Sequence, residues 1–309
     1  MTMIRLCRST HQFLLFCNLL QIFACTQSQV WECVHRASGL RRCVKIIDNE
    51  TLTAVEREVC RREVLLLKKV QGHEGIINVG EVYSSRKTYL VMDLATGGNL
   101  LSRVIQQEML PEETVRRIAV TVLRAIQHLQ SFNLCHNDIQ PSNLVLNGMD
   151  EVALIDFGST CASGQCLDSG ALHTSYTSPE VASLNTCTPV SDIWSLGAVI
   201  YFCFFGQAPV PYSKRRSELT FPFNENVSRQ AKQFMIACLH HDPTVRLTAE
   251  EALAHPWLQQ ETEQKSKFSW KVWWKKWFCK KEPTNDIPTP STSGSSGVGL
   301  SSFTFSWRP

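Results

Sequence analysis

Asp138, Asn143 and Asp156 are the residues of this 309-residue chain whose types and spacing could do chemistry together. The first two lie in His136-Asn137-Asp138-Ile139-Gln140-Pro141-Ser142-Asn143, and the third opens Asp156-Phe157-Gly158 a short distance on. A carboxylate can accept a proton from an attacking hydroxyl. An amide and a second carboxylate offer the hard oxygen atoms that a hard divalent cation takes. That is the equipment of metal-assisted phosphoryl transfer, in which a protein positions the reactants and neutralises charge on phosphate oxygens. The flanking runs Leu144-Val145-Leu146 and Val152-Ala153-Leu154-Ile155 read as short apolar strands that would hold the three groups in place.

Other elements must bring charge to the same place. Cys43-Val44-Lys45-Ile46-Ile47 reads as a strand carrying one cation, and Glu63 sits in a segment of helical periodicity from about Thr53 to Val70. Either residue alone reads as an ordinary surface charge, a reading that serves the ordered pair less well. Thr88-Tyr89-Leu90-Val91-Met92 is a further apolar strand, running into Asp93-Leu94-Ala95-Thr96-Gly97-Gly98-Asn99-Leu100, where the glycine pair marks a turn. Downstream stand Ser178-Pro179-Glu180, then Ser191-Asp192-Ile193-Trp194-Ser195-Leu196-Gly197, then Asp242-Pro243-Thr244-Val245-Arg246 before Ala252-Leu253-Ala254-His255-Pro256-Trp257-Leu258.

In this order the motifs resemble those of the eukaryotic protein kinases, nearest in feel to the calmodulin-dependent and death-associated Ser/Thr group, over roughly residues 22 to 260. The resemblance implies an α+β fold of two lobes, a small β-rich N-lobe (about 22–92) and a larger helical C-lobe (about 97–260). It implies ATP with Mg2+, and transfer of the γ-phosphoryl group to Ser or Thr of a protein substrate. Asp138 would be the base, Asn143 and Asp156 the magnesium ligands, and Lys45 the contact to the α- and β-phosphates with Glu63 as its partner. Val30, the gatekeeper Met92, backbone groups at Asp93 and Ala95, Asn99 and Val145 would line the nucleotide pocket. Glu180 and Arg246 would form a buried ion pair that marks the fold.

Three departures from the family pattern bear on rate and regulation. The glycine-rich loop is replaced by Phe23-Ala24-Cys25-Thr26-Gln27-Ser28-Gln29, without glycine, so the lid over ATP is expected to be stiffer and its hold on the phosphates weaker. Gln140 stands where Ser/Thr kinases carry a Lys beside the transferring phosphate; an amide can donate there but brings no charge, so a slow enzyme is expected. His173 occupies the place of a Thr that touches that Lys, with Thr174 as a substitute if the register shifts by one. Asn137 replaces an Arg that receives a phosphate on the activation segment, which argues against activation by phosphorylation there. The same departures keep open a second reading, a pseudokinase acting as a binding or scaffold module.

Composition and the two ends complete the reading. A hydrophobic content of 43% suits one large core, and a net charge of +3 shows no nucleic-acid footprint. The thirteen Cys are scattered, without C-x-x-C pairing, as expected of reduced thiols in a cytoplasmic or nuclear protein. Residues 1–21 read as an N-terminal extension. The apolar run Phe13 to Ala24 superficially resembles a signal peptide, but cleavage would remove the first strand of the small lobe, so a packed strand or helix is preferred to secretion. Residues 261–282 form a basic, Trp-rich segment: between 265 and 281 there are seven Lys and no acidic residue, and as a helix Trp270, Trp273, Trp274 and Trp277 would share one face. This suits an interfacial helix on an anionic membrane with Cys279 as an acylation site, or equally a tail that docks on the kinase domain or in a partner's groove. Residues 283–309 have the composition of a disordered tail.

Overall fold

The computed structural model describes residues 16–24, 28–36, 38–107, 109–147, 151–165, 174–209, 219–222 and 226–259. Its first layer is an antiparallel sheet of β1 (Phe16–Ala24), β2 (Ser28–His35), β3 (Arg41–Asp48), β4 (Val79–Ser84) and β5 (Lys87–Asp93), in the order β1-β2-β3-β5-β4. Alternation along the strands sorts the side chains onto two faces. Cys33, Val44, Ile46, Tyr89 and Val91 make a buried cluster on one, with Trp31 and Tyr83 packed against it. The other face carries Lys45, with Val30 and Leu90 as its cross-strand partners, and Cys43 opposite Met92.

The sheet begins earlier than the sequence suggested. Phe16 and Cys17 already pair with His35 and Val34, so the end of the expected 1–21 extension is part of β1. The apolar run is thus strand from Phe16 to Ala24, satisfying its backbone by pairing with β2, although Leu20 and Ile22 keep their side chains in solvent.

Helix α1 (Ala54–Val70) starts where Thr53 and Glu56 cap each other: Glu56 N donates to Thr53 Oγ1 at 3.3 Å and Thr53 N to Glu56 Oε2 at 2.7 Å. Its buried residues Glu63, Leu67 and Val70 recur at helical spacing, which puts the one buried carboxylate of the helix on its inward face.

The second part is mainly helical. It comprises α2 (Leu100–Gln107), α3 (Glu112–Ser131), β6 (Leu134–Cys135), a 3-10 turn (Pro141–Asn143), the β7 (Leu144–Asn147) and β8 (Glu151–Leu154) pair, β9 (Cys161–Ala162), α4 (Pro179–Leu184), α5 (Ser191–Phe205), α6 (Arg229–Cys238) and α7 (Ala249–Leu253). Helix α5 is buried from Ser191 to Phe204 and apolar nearly all round, as a central helix must be. At Gly197 a Cβ would lie 2.8 Å from Cys238 Cβ, so glycine lets α5 and α6 approach closely. Arg246 holds this lobe from within: its guanidinium donates to Glu180 at 2.6 and 2.9 Å and to Val190 O at 2.9 Å. Burial would raise the Glu180 carboxyl, but Arg246 holds it below the usual range. Among the described residues no helix is long and apolar enough to cross a membrane. Cys25, His173, the basic Trp-rich segment and the tail lie outside the described residues.

Candidate active site

The loop between β6 and β7 is fixed by a carboxylate from α5. Asp192, 1% exposed, accepts the backbone N–H groups of His136 at 2.8 Å and Asn137 at 2.9 Å. Burial raises its pKa to about 6 even so. Asn137 takes a left-handed backbone (φ 64°), a conformation asparagine tolerates better than most residues, and reverses the chain ahead of Asp138. His136 is fully buried edge-on against Phe157, and burial lowers its pKa to about 4, so the ring is neutral and structural.

Two side-chain amides bracket Asp138. Gln140 Nε2 donates to Asp138 Oδ1 at 2.8 Å, and Asn143 Nδ2 donates to Oδ2 at 2.6 Å and to the Asp138 carbonyl at 3.0 Å. Burial, and next the charge of Asp156, raise Asp138 to about 6 against the pull of the two amides. A carboxylate in that range is ionised at neutral pH yet a better proton acceptor than an ordinary aspartate.

Lys45 Nζ reaches both oxygens of Glu63, at 2.8 and 3.1 Å, which joins β3 to α1 as the family resemblance implied. Burial works against the ammonium, but Glu63 and then Asp156 outweigh it and raise the Lys45 pKa. The field of Asp156 therefore acts on both Lys45 and Asp138. Asp156 has φ 63°, and its Oδ1 takes Gly158 N at 3.3 Å. Two hydrogen-bonded groups, Lys45–Glu63 and Gln140–Asp138–Asn143, are thus related through the field of Asp156, which acts on a member of each.

The expected nucleotide wall divides in an instructive way. Val30 and Met92 lie on the Lys45 face of the sheet. Asp93 lies on the other face, its carboxylate bound to Arg42 and, at 3.1 Å, to Asn78, so it could serve a nucleotide only through its backbone. Asn99 bridges Val145 through the backbone, bringing the turn after β5 onto β7, while Asn99 Oδ1 caps α2 by accepting Ser102 N at 2.8 Å. That oxygen is engaged in the fold, and the amide nitrogen is the group a ribose hydroxyl could meet. Cys43 and Leu90, which the sequence reading did not single out, share the Lys45 face; register alone could have found them. Burial pushes the Cys43 thiol up to about 11, which keeps it inert.

Magnesium fits these donors. Asn143 turns its nitrogen toward Asp138, which leaves its oxygen for a hard cation, and Asp156 supplies a carboxylate whose field is felt on two neighbours. No cluster of three or more His, Cys, Asp or Glu suited to a metal exists among the described residues. A site of one carboxylate and one amide suits an ion completed by phosphate oxygens and water.

The departures from the family pattern also have a geometry. Gln140 does not point its amide to open space but spends it on the Asp138 carboxylate. Asn137 donates to Cys135 O at 3.2 Å, Ser159 O at 3.3 Å and Cys161 Sγ at 3.2 Å, tying down the segment after Asp156-Phe157-Gly158. Thr174 Oγ1 accepts Tyr176 N at 3.2 Å and closes a local turn. The strands on both sides of the lid pair as far as Ala24 with Gln29, and residues 25–27 between them are not described.

The sequence matches the protein kinase domain family over residues 24–258. It is 30% identical over 269 residues to the serine/threonine-protein kinase PKZ1 of Phytophthora infestans, covering 74% of this chain and 67% of the relative. A probable myosin light chain kinase of Dictyostelium discoideum is 30% identical over 247 residues, covering 76% and 78% of the two chains. Ribosomal protein S6 kinase alpha-6 of Mus musculus is 31% identical over 254 residues, covering 75% of this chain and 32% of the relative. With two lobes built as described and the ordered motifs brought to one site, the chain belongs to the protein kinase family.

Proposed function

We propose that the protein transfers the γ-phosphoryl group of ATP, with magnesium, to a Ser or Thr hydroxyl of a protein substrate. The observation that carries this reading is Asp138, held between two amides with its pKa raised to about 6, and related through the field of Asp156 to the Lys45–Glu63 pair. Relatives named as serine/threonine kinases support the choice of acceptor. Asp138 accepts the proton of the attacking hydroxyl. Lys45, oriented by Glu63, holds the α- and β-phosphates, and Asn143 and Asp156 hold the metal, which when bound neutralises charge on the phosphate oxygens. Val30, Met92 and Val145 enclose the adenine, with backbone groups of Asp93 and Ala95 meeting its edge and Asn99 near the ribose.

Transfer is slow in this reading. Gln140 gives its hydrogen bond to Asp138 rather than to the phosphate, and losing one stabilising donor from such a site costs about 100-fold or more. The same contact favours the second reading, a pseudokinase in which Gln140 and Asn143 lock the former base into a scaffold. We further propose a cytoplasmic or nuclear location, with residues 265–281 attaching the protein to anionic membranes or docking on a partner.

Calorimetric titration with ATP, with and without magnesium, tests the nucleotide part. Binding should require magnesium for full strength and should tighten when Cys25 and Ser28 are replaced by Gly, which lets the lid backbone approach the phosphates. A protein that binds no nucleotide under any of these conditions leaves the scaffold reading standing.

A further inference from the structure

Three cysteines that looked scattered in the sequence meet directly behind the catalytic loop. Cys135 and Cys161 face each other across the β6–β9 ladder. Cys187, which follows α4, brings its Sγ to 3.1 Å from Cys161 Sγ and to 3.3 Å from the Ala162 carbonyl oxygen. The Cys187 backbone is fastened to the same stretch, because Gly164 N donates to its carbonyl at 3.0 Å and its own N–H reaches Gln165 O at 3.4 Å.

Cysteine often packs as a small apolar side chain, and Cys135 and Cys187, at 1% and 0% exposure, fit that description. Cys161 does not, since it is partly exposed while its sulfur touches a buried one. The pair therefore combines a partly exposed cysteine with a second, buried sulfur held against its own. The Cys187 thiol has the Ala162 carbonyl oxygen as an acceptor, and in its contact with Cys161 either sulfur can be the donor.

We propose that Cys161 and Cys187 are a redox modification site, forming a reversible disulfide when the protein meets a peroxide. The Cys161 sulfur takes one peroxide oxygen as the O–O bond breaks, and the thiol proton leaves with the other oxygen as water. Cys161 is then a sulfenic acid. The Cys187 sulfur attacks it, the S–S bond forms, the S–O bond breaks, and the departing hydroxide takes the Cys187 proton to leave as a second water. Two thiols and one peroxide thus give one disulfide and two waters, and a dithiol reverses the linkage.

The link would join the segment after Asp156-Phe157-Gly158 to the segment after α4. Asn137, the residue before Asp138, donates to the Cys161 sulfur, so drawing that sulfur onto Cys187 disturbs the loop that holds the base. This consequence for transfer rests on the proposed function; the disulfide itself does not.

The experiment treats the reduced full-length protein with hydrogen peroxide, alkylates the remaining thiols and cleaves at acidic residues. Asp168 and Glu180 lie between the two cysteines, so the linked sites fall on separate peptides, and fragmentation distinguishes Cys161 from Cys166 on its peptide. The expected result is a Cys161–Cys187 peptide pair with loss of two alkylatable thiols, reversed by dithiothreitol and absent from Cys161→Ser. Cys187→Ala should also lack it, and the partly exposed Cys161→Ser serves if that buried substitution impairs folding. Phosphate transfer by the wild type should fall on oxidation and return on reduction, whereas that of Cys161→Ser should not respond. Linkage through Cys135 or Cys166, over-oxidation of Cys161 without linkage, or full recovery of alkylated thiols would each overturn the proposal. If the reduced protein transfers no phosphate, that result counts against the proposed function, and the mapped linkage still decides this site.

Discussion

Replacing Gln140 by Lys changes one side chain whose amide lies 2.8 Å from the Asp138 carboxylate. An ammonium about 4 Å from that carboxylate would attract it by about 4 kcal/mol at the effective dielectric typical of proteins, before any cost of desolvating the lysine. A cation this close usually lowers a carboxyl pKa by about 1–3 units. Asp138, now at about 6, should therefore move toward the range of an ordinary aspartate. The sign follows from the role of the group: a base with a raised pKa is protonated as pH falls through that value, so the acid limb of kcat/KM should lie near 6 in the wild type and lower in the variant. At pH 7 most of the base is already ionised, so a gain there measures the new charge beside the phosphate, expected at about 100-fold. Single-turnover transfer from labelled ATP, followed from pH 5 to 8, separates the two effects. An unchanged acid limb together with no gain at pH 7 would refute the reasoning and show that another group already supplies the missing charge.

Other parts of the account can be tested as directly. Arg246→Ala should cost about 3–5 kcal/mol in urea unfolding, because it leaves the Glu180 carboxylate buried without its partner; a loss below about 1 kcal/mol would contradict this. The depressed Glu180 pKa also predicts that the stability the pair gives the wild type, present above the ordinary carboxyl pKa, is lost as pH falls below it, and that Arg246→Ala shows less of this loss. Replacing Trp273, Trp274 and Trp277 by Ala should reduce sedimentation with anionic vesicles, and salt should reduce it further, since exposed charges are screened within about 10 Å at 0.1 M salt. Equal sedimentation of the two proteins would exclude membrane attachment by this route, and a rise in transfer on deleting residues 265–281 would point to docking on the kinase domain.

Much of the fold was legible because its signals are local. Thr53 and Glu56 cap α1 within one turn, and the helix runs to Val70 as periodicity suggested. The Lys45–Glu63 and Glu180–Arg246 pairs could be foreseen only through the family resemblance, since neither periodicity nor spacing says that residues so far apart will touch. The strand from Phe16 was expected only as one of two packed forms, because an apolar stretch reads alike as strand, buried helix or leader until a pairing partner is known. Gln140 was read for what it lacks, a charge toward phosphate. Its contact with Asp138 depends on a side-chain direction that no pattern of residue types contains. The meeting of Cys135, Cys161 and Cys187 was hidden for the same reason: cysteine spacing shows chelate-like motifs, but not sulfurs brought together by a ladder and a distant loop.

The most direct test of the central claim is phosphate transfer from γ-labelled ATP by the purified protein to a Ser/Thr-containing protein substrate, compared with Asp138→Asn under identical conditions. The account predicts slow, magnesium-dependent labelling of Ser or Thr by the wild type and loss of that labelling in the variant, with nucleotide still bound by both. Equal labelling by the two proteins, or none by a wild type that binds ATP, would contradict the assignment of Asp138 as the working base.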